Sequence, residues 1–314
     1  MAVAAVADEN QLVGAALSAC GVEGAVSSVQ RLSGKSHISF RVERGDAAPV
    51  AVRIEPERGI LPPYDLPSEA RLLQQLARAG IPVPNVLGMS AALDTSAAQR
   101  RGCLVVEWVD GEVMNREQMQ SDAARTYCET LRRIHTLDWH SAGLDWLPLP
   151  PESGPAMRER EEIAQRLRSF GVYDEPHIRR LREALEGRCP NSPPPMLVHG
   201  DVNFGNFILR PGDPPQVAAV LDWEQAHLGD PLSDWGRLQV EDLMGNLDLS
   251  EGARRVMSDA LHSYGRDEED LQYWTLHQLY KRSSATAALT VVHGWGIDHI
   301  GQEYAEPTKR LLSP

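Results

Sequence analysis

Residues 196–235 read MLVHGDVNFGNFILRPGDPPQVAAVLDWEQAHLGDPLSDW, and this stretch carries most of the information about the fold of the chain. Three short apolar runs in it, at 196–198, 207–209 and 217–221, predict buried strands. The Pro-Gly-Asp-Pro-Pro segment at 211–215 predicts a turn between the second and third runs. The order is therefore strand, loop, strand, turn, strand.

Polar side chains follow these predicted strands. Asp201 comes after the first run, Asn206 precedes the second, and Asp222 directly follows the third. We expect the three side chains to reach one edge of the local sheet. Because oxygen ligands suit a hard cation, the pattern predicts a magnesium site. A plain β-hairpin with surface acids is the alternative.

Three spaced segments carry a family resemblance: HGDVNFGN at 199–206, LDWE at 221–224 and HLGDPLSDW at 227–235. They resemble the catalytic core of the aminoglycoside phosphotransferase and choline kinase-like superfamily, a branch of the protein-kinase fold. The motif sequence DWE…AHLGDP is similar to the corresponding sequence in the kinase-like domains attached to some acyl-CoA dehydrogenases. The resemblance implies an α+β, two-lobed protein-kinase-like fold. Its small N-lobe has an antiparallel sheet, and its larger C-lobe is mostly helical.

The resemblance also implies residue roles. Asp201 is expected to accept or orient the proton of a substrate hydroxyl, and Asn206 and Asp222 to hold Mg²⁺. His199 is expected to brace the catalytic loop, as is either of two acids that accept backbone N–H groups, Asp230 or Asp234.

Two further residues in this stretch have weaker assignments. Asn203 occupies a position that varies in the superfamily and is expected to touch the transferring phosphate. Glu224 stands where many kinases have the Gly of Asp-Phe-Gly, so a glycine-dependent flip of this turn is not expected.

A turn rich in small residues, Ser-Gly-Lys-Ser-His at 33–37, lies between two predicted strands at 26–32 and 38–42. The resemblance makes it the phosphate-covering loop, with Gly34 and Ser36 approaching the nucleotide. It has one Gly fewer than the superfamily pattern, and a plain hairpin turn is the alternative. A Walker A loop is excluded because Val29 stands where its first Gly is required and a strand follows.

Arg53 lies on a third predicted strand, at 50–54, where most kinases have Lys. A cation here is needed to hold the α- and β-phosphates, and Arg supplies a permanent charge with two donors. Glu69 lies on the apolar face of a predicted helix at 68–79. Since an acid on a buried face needs a partner, we expect Glu69 to pair with Arg53. A solvent-facing Arg and a first-turn Glu favoured by the helix dipole are the alternatives.

The sequence changes from strand-rich to helix-rich at 107–111, EWVDG, after two more predicted strands that a polar loop at 90–101 separates. The resemblance makes 107–111 the hinge between an N-lobe at 1–106 and a C-lobe at 112–314. We expect the Glu107 carbonyl and the Val109 N–H to face the adenine base.

The predicted C-lobe is helical, with helices at 121–136, 156–170, 175–187, 231–245, 251–263 and 268–292. His135 is interpreted as a packed structural histidine. The helices at 156–170 and 175–187 correspond to the insertion that shapes the acceptor pocket in the superfamily. Their acids either meet a cationic substrate or form a solvated face, and the second is preferred. These acids are Glu159, Glu161, Glu162 and Asp174.

Composition bounds the function classes. The chain has 314 residues, of which 42% are hydrophobic, enough for a sizeable core. With 44 acidic against 31 basic residues, nucleic acid is not the expected partner. No run has the length of a membrane span, the N-terminus predicts no signal peptide, and the four cysteines form no metal or disulfide pattern. A cytoplasmic protein, as monomer or homodimer, is the expectation.

The predicted function is transfer of the γ-phosphoryl group of ATP, or GTP, to a hydroxyl of a small molecule, with Mg²⁺ as cofactor. The acceptor stays open among hydroxyacyl-CoA-like compounds, aminoglycosides or macrolides, and amino alcohols. The wording of the motifs favours the first, and the net negative charge favours a cationic acceptor. A catalytically weak pseudokinase or nucleotide-binding regulatory protein is the main alternative. A metal-dependent hydrolase is a weaker one.

Overall fold

The computed structural model describes residues 2–32, 37–56, 65–93, 101–190, 193–294 and 299–312. The chain divides into two compact units. The first comprises Met1–Gly111 with Ala218–Glu224, and the second comprises Glu112–Val217 with Gln225–Pro314. The segment 218–224, which the sequence analysis places in the C-lobe, is thus part of the first unit.

The first unit is built on one five-stranded antiparallel sheet with the strand order β1-β2-β3-β5-β4. Its elements are α1 (Ala2–Ala19), β1 (Val26–Arg31), β2 (Ile38–Arg44), β3 (Ala47–Ile54), α2 (Leu66–Arg78), β4 (Val86–Leu93) and β5 (Arg101–Glu107).

The core of this unit lies between the sheet and α1. Alternate residues of β2 and β3, including Phe40, Val42 and Val52, are fully buried on one sheet face. Val13 and Ala16 of α1 pack into the same cluster. The predicted strands and the helix α2 are present, and the Asp65 side chain caps α2 by accepting from the N–H of Ser68.

The polar loop predicted at 90–101 is wrong at both ends. β4 continues to Leu93 and β5 begins at Arg101, and these two residues are paired. The reason is that Arg101, a charged residue, has a partner in the sheet: its Nε donates to the Glu55 carbonyl at 2.7 Å.

The second unit is mostly helical. Its strands are β6 (Glu112–Val113), β7 (Met196–Val198), β8 (Phe207–Arg210) and β10 (His227–Gly229). The strand β9 (Gln216–Val220) begins in the second unit and ends in the first. Its helices are α3 (Asp122–His135), α4 (Pro155–Ser169), α5 (Pro176–Leu185), α6 (Leu232–Leu243), α7 (Glu251–Ser263), α8 (Glu268–His293), α9 (His299–Glu303) and α10 (Ala305–Leu312). Short 3-10 turns lie at Gln118–Gln120 and Phe204–Asn206.

Two small sheets carry the 196–235 stretch. One has the order β6-β8-β9, the other pairs β10 with β7, and the boundary between the units falls inside β9. Helix α8 is the centre of the helical packing and contacts α4, α5 and α6. Trp274 and Leu279 of α8 are fully buried. Among the described residues, no helix combines the length and the apolar character needed to cross a membrane.

Candidate active site

Arg53 and Glu69 form a buried ion pair in the first unit. Arg53 is on β3, and its Nη1 donates to Oε1 of Glu69, which lies in the first turn of α2. Glu69 is 5% exposed, so its carboxylate is compensated by this guanidinium. The pairing expected from the sequence is present.

The same guanidinium reaches Asp222. Arg53 Nη2 lies 3.1 Å from Asp222 Oδ1, so one Arg bridges two carboxylates. Burial by itself lowers the pKa of Arg53, but the charges of Glu69 and Asp222 more than offset this, and the net shift is upward. Arg53 therefore keeps its positive charge.

Asp222 has a positive φ of 65°, which is uncommon for a residue other than glycine. The residues around it hold this turn. The N–H of Trp223 donates to Glu69 Oε1 at 3.3 Å, and the buried indole Nε1 donates to the Val220 carbonyl at 3.0 Å. Glu69 thus positions Arg53 and the Asp-Trp-Glu turn together.

Glu55 positions the start of α2 and was missed by the sequence reasoning. Its carboxylate accepts from the N–H of Leu66 at 3.0 Å and from the N–H of Gly102 at 2.8 Å. A Cβ at residue 102 would lie 2.6 Å from Glu55 Oε1, so this contact needs glycine. Because Glu55 directly follows β3, it ties the strand of Arg53 to the helix of Glu69.

His37, Asp222 and Glu224 bring three possible metal-ligand atoms within 4.8 Å of one another. His37 Nδ1 lies 3.0 Å from Arg53 Nη2 and 3.1 Å from Glu224 Oε2. Carboxylate oxygens with an imidazole nitrogen are a donor set that fits a divalent cation. The carboxylates of Asp222 and Glu224 are oxygen donors that suit the expected Mg²⁺, whereas the imidazole of His37 is a ligand that a transition metal prefers.

In the second unit, Asp234 holds the loop that carries Asp201. Its carboxylate accepts from the N–H of His199 and from the N–H of Gly200, both at 2.9 Å. The fully buried His199 in turn accepts from the N–H of Asp201 through Nδ1 at 3.2 Å. Of the two candidate acids, Asp234 is the one that contacts this loop.

His135 anchors Asp234 from α3. Its Nε2 lies 2.9 Å from Asp234 Oδ2, and its Nδ1 lies 3.2 Å from the Tyr264 hydroxyl. Burial raises the pKa of Asp234, but the hydrogen bonds from His135 and from the N–H of His199 more than offset this, so the net pKa is lowered. The interpretation of His135 as a packed structural residue is confirmed by its burial at 1% exposure.

Asp230 has a different role. It accepts from Trp274 Nε1 at 2.9 Å and from the N–H of Leu232, and it lies 3.0 Å from Arg266 Nη1. Burial raises its pKa. It therefore joins the start of α6 to α8 rather than bracing the catalytic loop.

The Asp201 carboxylate is left accessible while its backbone is fixed. Its side chain is 31% exposed. Its carbonyl accepts from Asn206 Nδ2 at 3.0 Å and from the N–H of Asn203 at 2.8 Å. The Asn203 side chain accepts from the N–H of Gly205, which shapes the turn before β8. Asp201 and Asn206 are thus held as neighbours in one loop.

Cations from two later helices approach this loop, and sequence reasoning missed them. Arg237 Nε of α6 lies 3.9 Å from Asp201 Oδ1, and Lys281 Nζ of α8 donates to the Gly200 carbonyl at 2.8 Å. Glu241 pairs with Arg237 and also with Arg282. Arg237 lies two residues beyond the last motif, which ends at Trp235, and Lys281 is far from every motif in the sequence.

Other predicted site residues are placed as follows. Gly34 and Ser36 lie outside the described residues. Glu107 uses its carboxylate to accept from the N–H of Asn85 at 3.1 Å.

Glu159, expected on a solvated face, is buried at 4% exposure, so that expectation is wrong for this residue. Ser233 donates to its Oε2 and His227 lies 3.4 Å from its Oε1. Glu161, Glu162 and Asp174 are exposed, as expected.

A model of the phosphotransferase enzyme family, APH, matches residues 28–294. The chain belongs to this family. Its members are phosphotransferases, so a kinase-type enzyme acting on a small molecule is the coarse function that membership supports. The matched residues include Arg53, Glu69, the 199–206 segment and Asp222.

Curated relatives of this phosphotransferase are parts of longer proteins. Acyl-CoA dehydrogenase family member 10 of Mus musculus is 29% identical over 216 residues, which are 67% of this chain and 20% of that protein. Family member 11 of Rattus norvegicus is 30% identical over 222 residues, 67% of this chain and 27% of that protein. The chain thus spans about a quarter or less of the length of these relatives.

Solved structures show the fold. Amicoumacin kinase in complex with AMP-PNP and Ca²⁺ superposes with a TM-score of 0.68 at 15% identity, over 98% of this chain and 95% of the kinase. Macrolide 2'-phosphotransferase from Brachybacterium faecium superposes with a TM-score of 0.57 at 20% identity, over 98% of this chain and 99% of that enzyme. The phosphotransferase has the two-lobed, protein-kinase-like α+β fold, as the sequence predicts.

Proposed function

We propose that this chain transfers the γ-phosphoryl group of ATP, or of GTP, to a hydroxyl group of a small molecule. The observation that carries the proposal is the Arg53 guanidinium, which contacts both Glu69 and Asp222. An Arg held in this way between two acids presents a fixed cation beside a candidate metal ligand, as phosphoryl transfer requires.

In this proposal Asp201 orients the acceptor hydroxyl and takes its proton. A new bond forms between the hydroxyl oxygen and the γ-phosphorus, and the bond from that phosphorus to the β–γ bridging oxygen breaks. The partly exposed carboxylate on a fixed backbone suits this role. Such a base contributes about 10²–10⁴ in rate. His199 and Asp234 keep the loop in place.

A divalent metal would be held by Asp222 and Asn206, with Glu224 as an additional oxygen donor in the Asp222 turn. The donor set in the first unit fits such an ion. When bound, the ion neutralises charge on the nucleotide phosphates. Arg53 binds the α- and β-phosphates, and the adenine base meets the hinge at Glu107 and Val109.

For the acceptor we propose a hydroxyacyl thioester first. The support is that the curated relatives carry a matching segment in proteins named for acyl-CoA dehydrogenases. Aminoglycosides, macrolides and amino alcohols are the other classes, since neighbouring structures with the same fold act on or bind antibiotics.

The test is a phosphorylation screen of the purified chain with ATP or GTP, Mg²⁺ and the four acceptor classes, followed by mass spectrometry of the acceptor. Asp201→Asn and Asp222→Asn should each lower the transfer rate at least about 10²-fold. Asp259→Asn, an exposed acid on α7, is the matched control and should leave the rate unchanged. Nucleotide binding without transfer to any acceptor would support the regulatory alternative instead.

A further inference from the structure

Cys20 and Cys103 meet in the first unit although 83 residues separate them. Their sulfur atoms lie 3.4 Å apart, Cys20 just after the end of α1 and Cys103 on β5. The other two cysteines, Cys128 and Cys189, lie in the second unit. The pair plays no part in the proposed phosphoryl transfer.

The packing around the pair is close and specific. Cys103 Sγ lies 3.9 Å from the Ala16 carbonyl of α1, and Cys20 Sγ lies 3.7 Å from the Cys103 carbonyl. A Cβ at residue 88 of β4 would lie 2.1 Å from the Cys20 carbonyl oxygen. Gly88 therefore permits the end of α1 to lie against the sheet, and this contact brings the two sulfurs together.

The two thiols differ in access. Cys20 is half-buried, whereas Cys103 is fully buried. The hydrogen bond between them raises the pKa of Cys20 and lowers the pKa of Cys103. A small reagent can therefore reach Cys20 first, and the Cys103 thiolate is the nearby nucleophile that can displace it.

We propose that Cys20 and Cys103 are a redox-sensitive modification site that forms a reversible disulfide with a low-molecular-weight disulfide as oxidant. The accessible Cys20 thiol loses its proton and attacks one sulfur of the reagent disulfide, which forms a mixed disulfide and expels one reagent thiolate. The Cys103 thiolate then attacks Cys20 Sγ and expels the second. Two protein thiols are oxidised, one reagent disulfide is reduced to two thiols, and the two protein protons end on these thiols at neutral pH.

The geometry needs only a small change. A disulfide has an S–S distance of about 2.05 Å, so the sulfurs approach by about 1.3 Å. The bond would fasten α1 to β5 at Cys103, which is paired with Ile54, the residue after Arg53 on β3. It would also close a long loop in the unfolded chain, which stabilises the folded state.

The test uses the full chain treated with oxidised or reduced glutathione, then alkylated and digested for mass spectrometry. Oxidised glutathione should give one linked peptide pair containing Cys20 and Cys103, with two hydrogens lost, and a melting temperature higher by roughly 5 °C. Dithiothreitol should reverse both. Cys189→Ser, which removes an exposed thiol, should keep the link.

Cys20→Ser should abolish the linked peptide and leave Cys103 free. Gly88→Ala should lower the rate of link formation, because its Cβ displaces Cys20. The proposal is overturned if wild-type protein in oxidised glutathione keeps both thiols alkylatable, or if glutathione stays on Cys20 as a stable mixed disulfide. Both outcomes are read on the wild-type chain, so a poorly folded variant does not affect the result.

Discussion

The imidazole of His135 and the carboxylate of Asp234 share a buried hydrogen bond of 2.9 Å, and both side chains are about 1% exposed or less. From this pair the carboxylate continues to the N–H groups of His199 and Gly200. A residue on α3 and a residue on α6 thus set the path of the loop that carries Asp201. Two backbone donors that would otherwise be unsatisfied are paired in this way.

Asp234→Asn should impair catalysis through the position of Asp201. The amide has one acceptor oxygen in place of two and no charge, so one of the three bonds to His135, His199 and Gly200 is lost. We expect kcat to fall about 10²-fold with a smaller change in nucleotide KM, and the free energy of unfolding to fall by about 3 kcal/mol. Steady-state kinetics and urea unfolding measure both.

The matched control for this variant is Asp145→Asn. Asp145 also pairs with a histidine, His140, but at an exposed site. Exposed pairs contribute little, so stability should change by less than about 1 kcal/mol. An equal loss of kcat in both variants would show that Asp234 does not act through the loop.

Glu69→Gln should weaken nucleotide binding. The amide keeps the size of the side chain but removes the charge that orients Arg53 and accepts from the N–H of Trp223. We expect the Kd for nucleotide to rise about tenfold or more, since the neutral amide oxygen accepts weaker hydrogen bonds from Arg53 and from the Trp223 N–H than the carboxylate does. Titration calorimetry with a non-hydrolysable nucleotide measures this. The exposed pair of Arg168 and Glu161 supplies the control, Glu161→Gln, whose Kd should match wild type.

Gly200→Ala should destabilise the second unit and reduce activity. Gly200 has φ 86°, and a Cβ there would lie 2.4 Å from the Gln225 carbonyl oxygen. Gly171→Ala is the control, because Gly171 also has a positive φ, 71°, but open space around the added atom. Both variants carry the backbone cost of about 1 kcal/mol. Only Gly200→Ala should lose a further 1–3 kcal/mol or so in the free energy of unfolding and shift the loop, because of the steric contact of its Cβ. Thermal unfolding of both variants separates the backbone cost from the steric cost.

His277 should make stability depend on pH in the acidic range. This fully buried residue has a pKa lowered to about 4, because burial opposes its charged form more strongly than Glu159 favours it. Lys281 and Arg160 oppose the charge as well. The unfolded chain has the ordinary pKa of about 6.5 and binds the proton first. The contribution of His277 to the free energy of unfolding is therefore fully present above pH 6.5, and it is lost as the pH falls from about 6.5 to about 4.

The measurement is urea unfolding at several pH values between 5 and 7. The free energy of unfolding of the wild-type chain should fall by about 1 kcal/mol per pH unit at the acidic end of this range. His277→Gln should lower stability at pH 7 but flatten this slope, whereas the exposed His262→Gln should retain it. A wild-type slope in the variant would show that another group titrates here.

Parts of the fold and of the site that rest on local pattern could be predicted. The strands of the first unit, α2 with its buried Glu69, and the helices from α3 to α8 follow from apolar periodicity and turn residues. The partner of Glu69 could be predicted because a buried acid requires a cation. The extension of β4 and β5 could not, since it depends on the Arg101 contact with the Glu55 carbonyl.

The candidate site residues could be named from the sequence because their types and spacing are local properties of the chain. They are Asp201, Asn206, Asp222, Arg53 and Glu69. Only the tertiary structure decided which side chains support them. Lys281 meets the Gly200 carbonyl across 81 positions, Asp234 meets His135 across 99, and Cys20 meets Cys103 across 83. Such contacts form when helices and strands pack, and no local pattern records which distant residue fills a given place in the packing. The burial of Glu159 among Ser233 and His227 has the same origin.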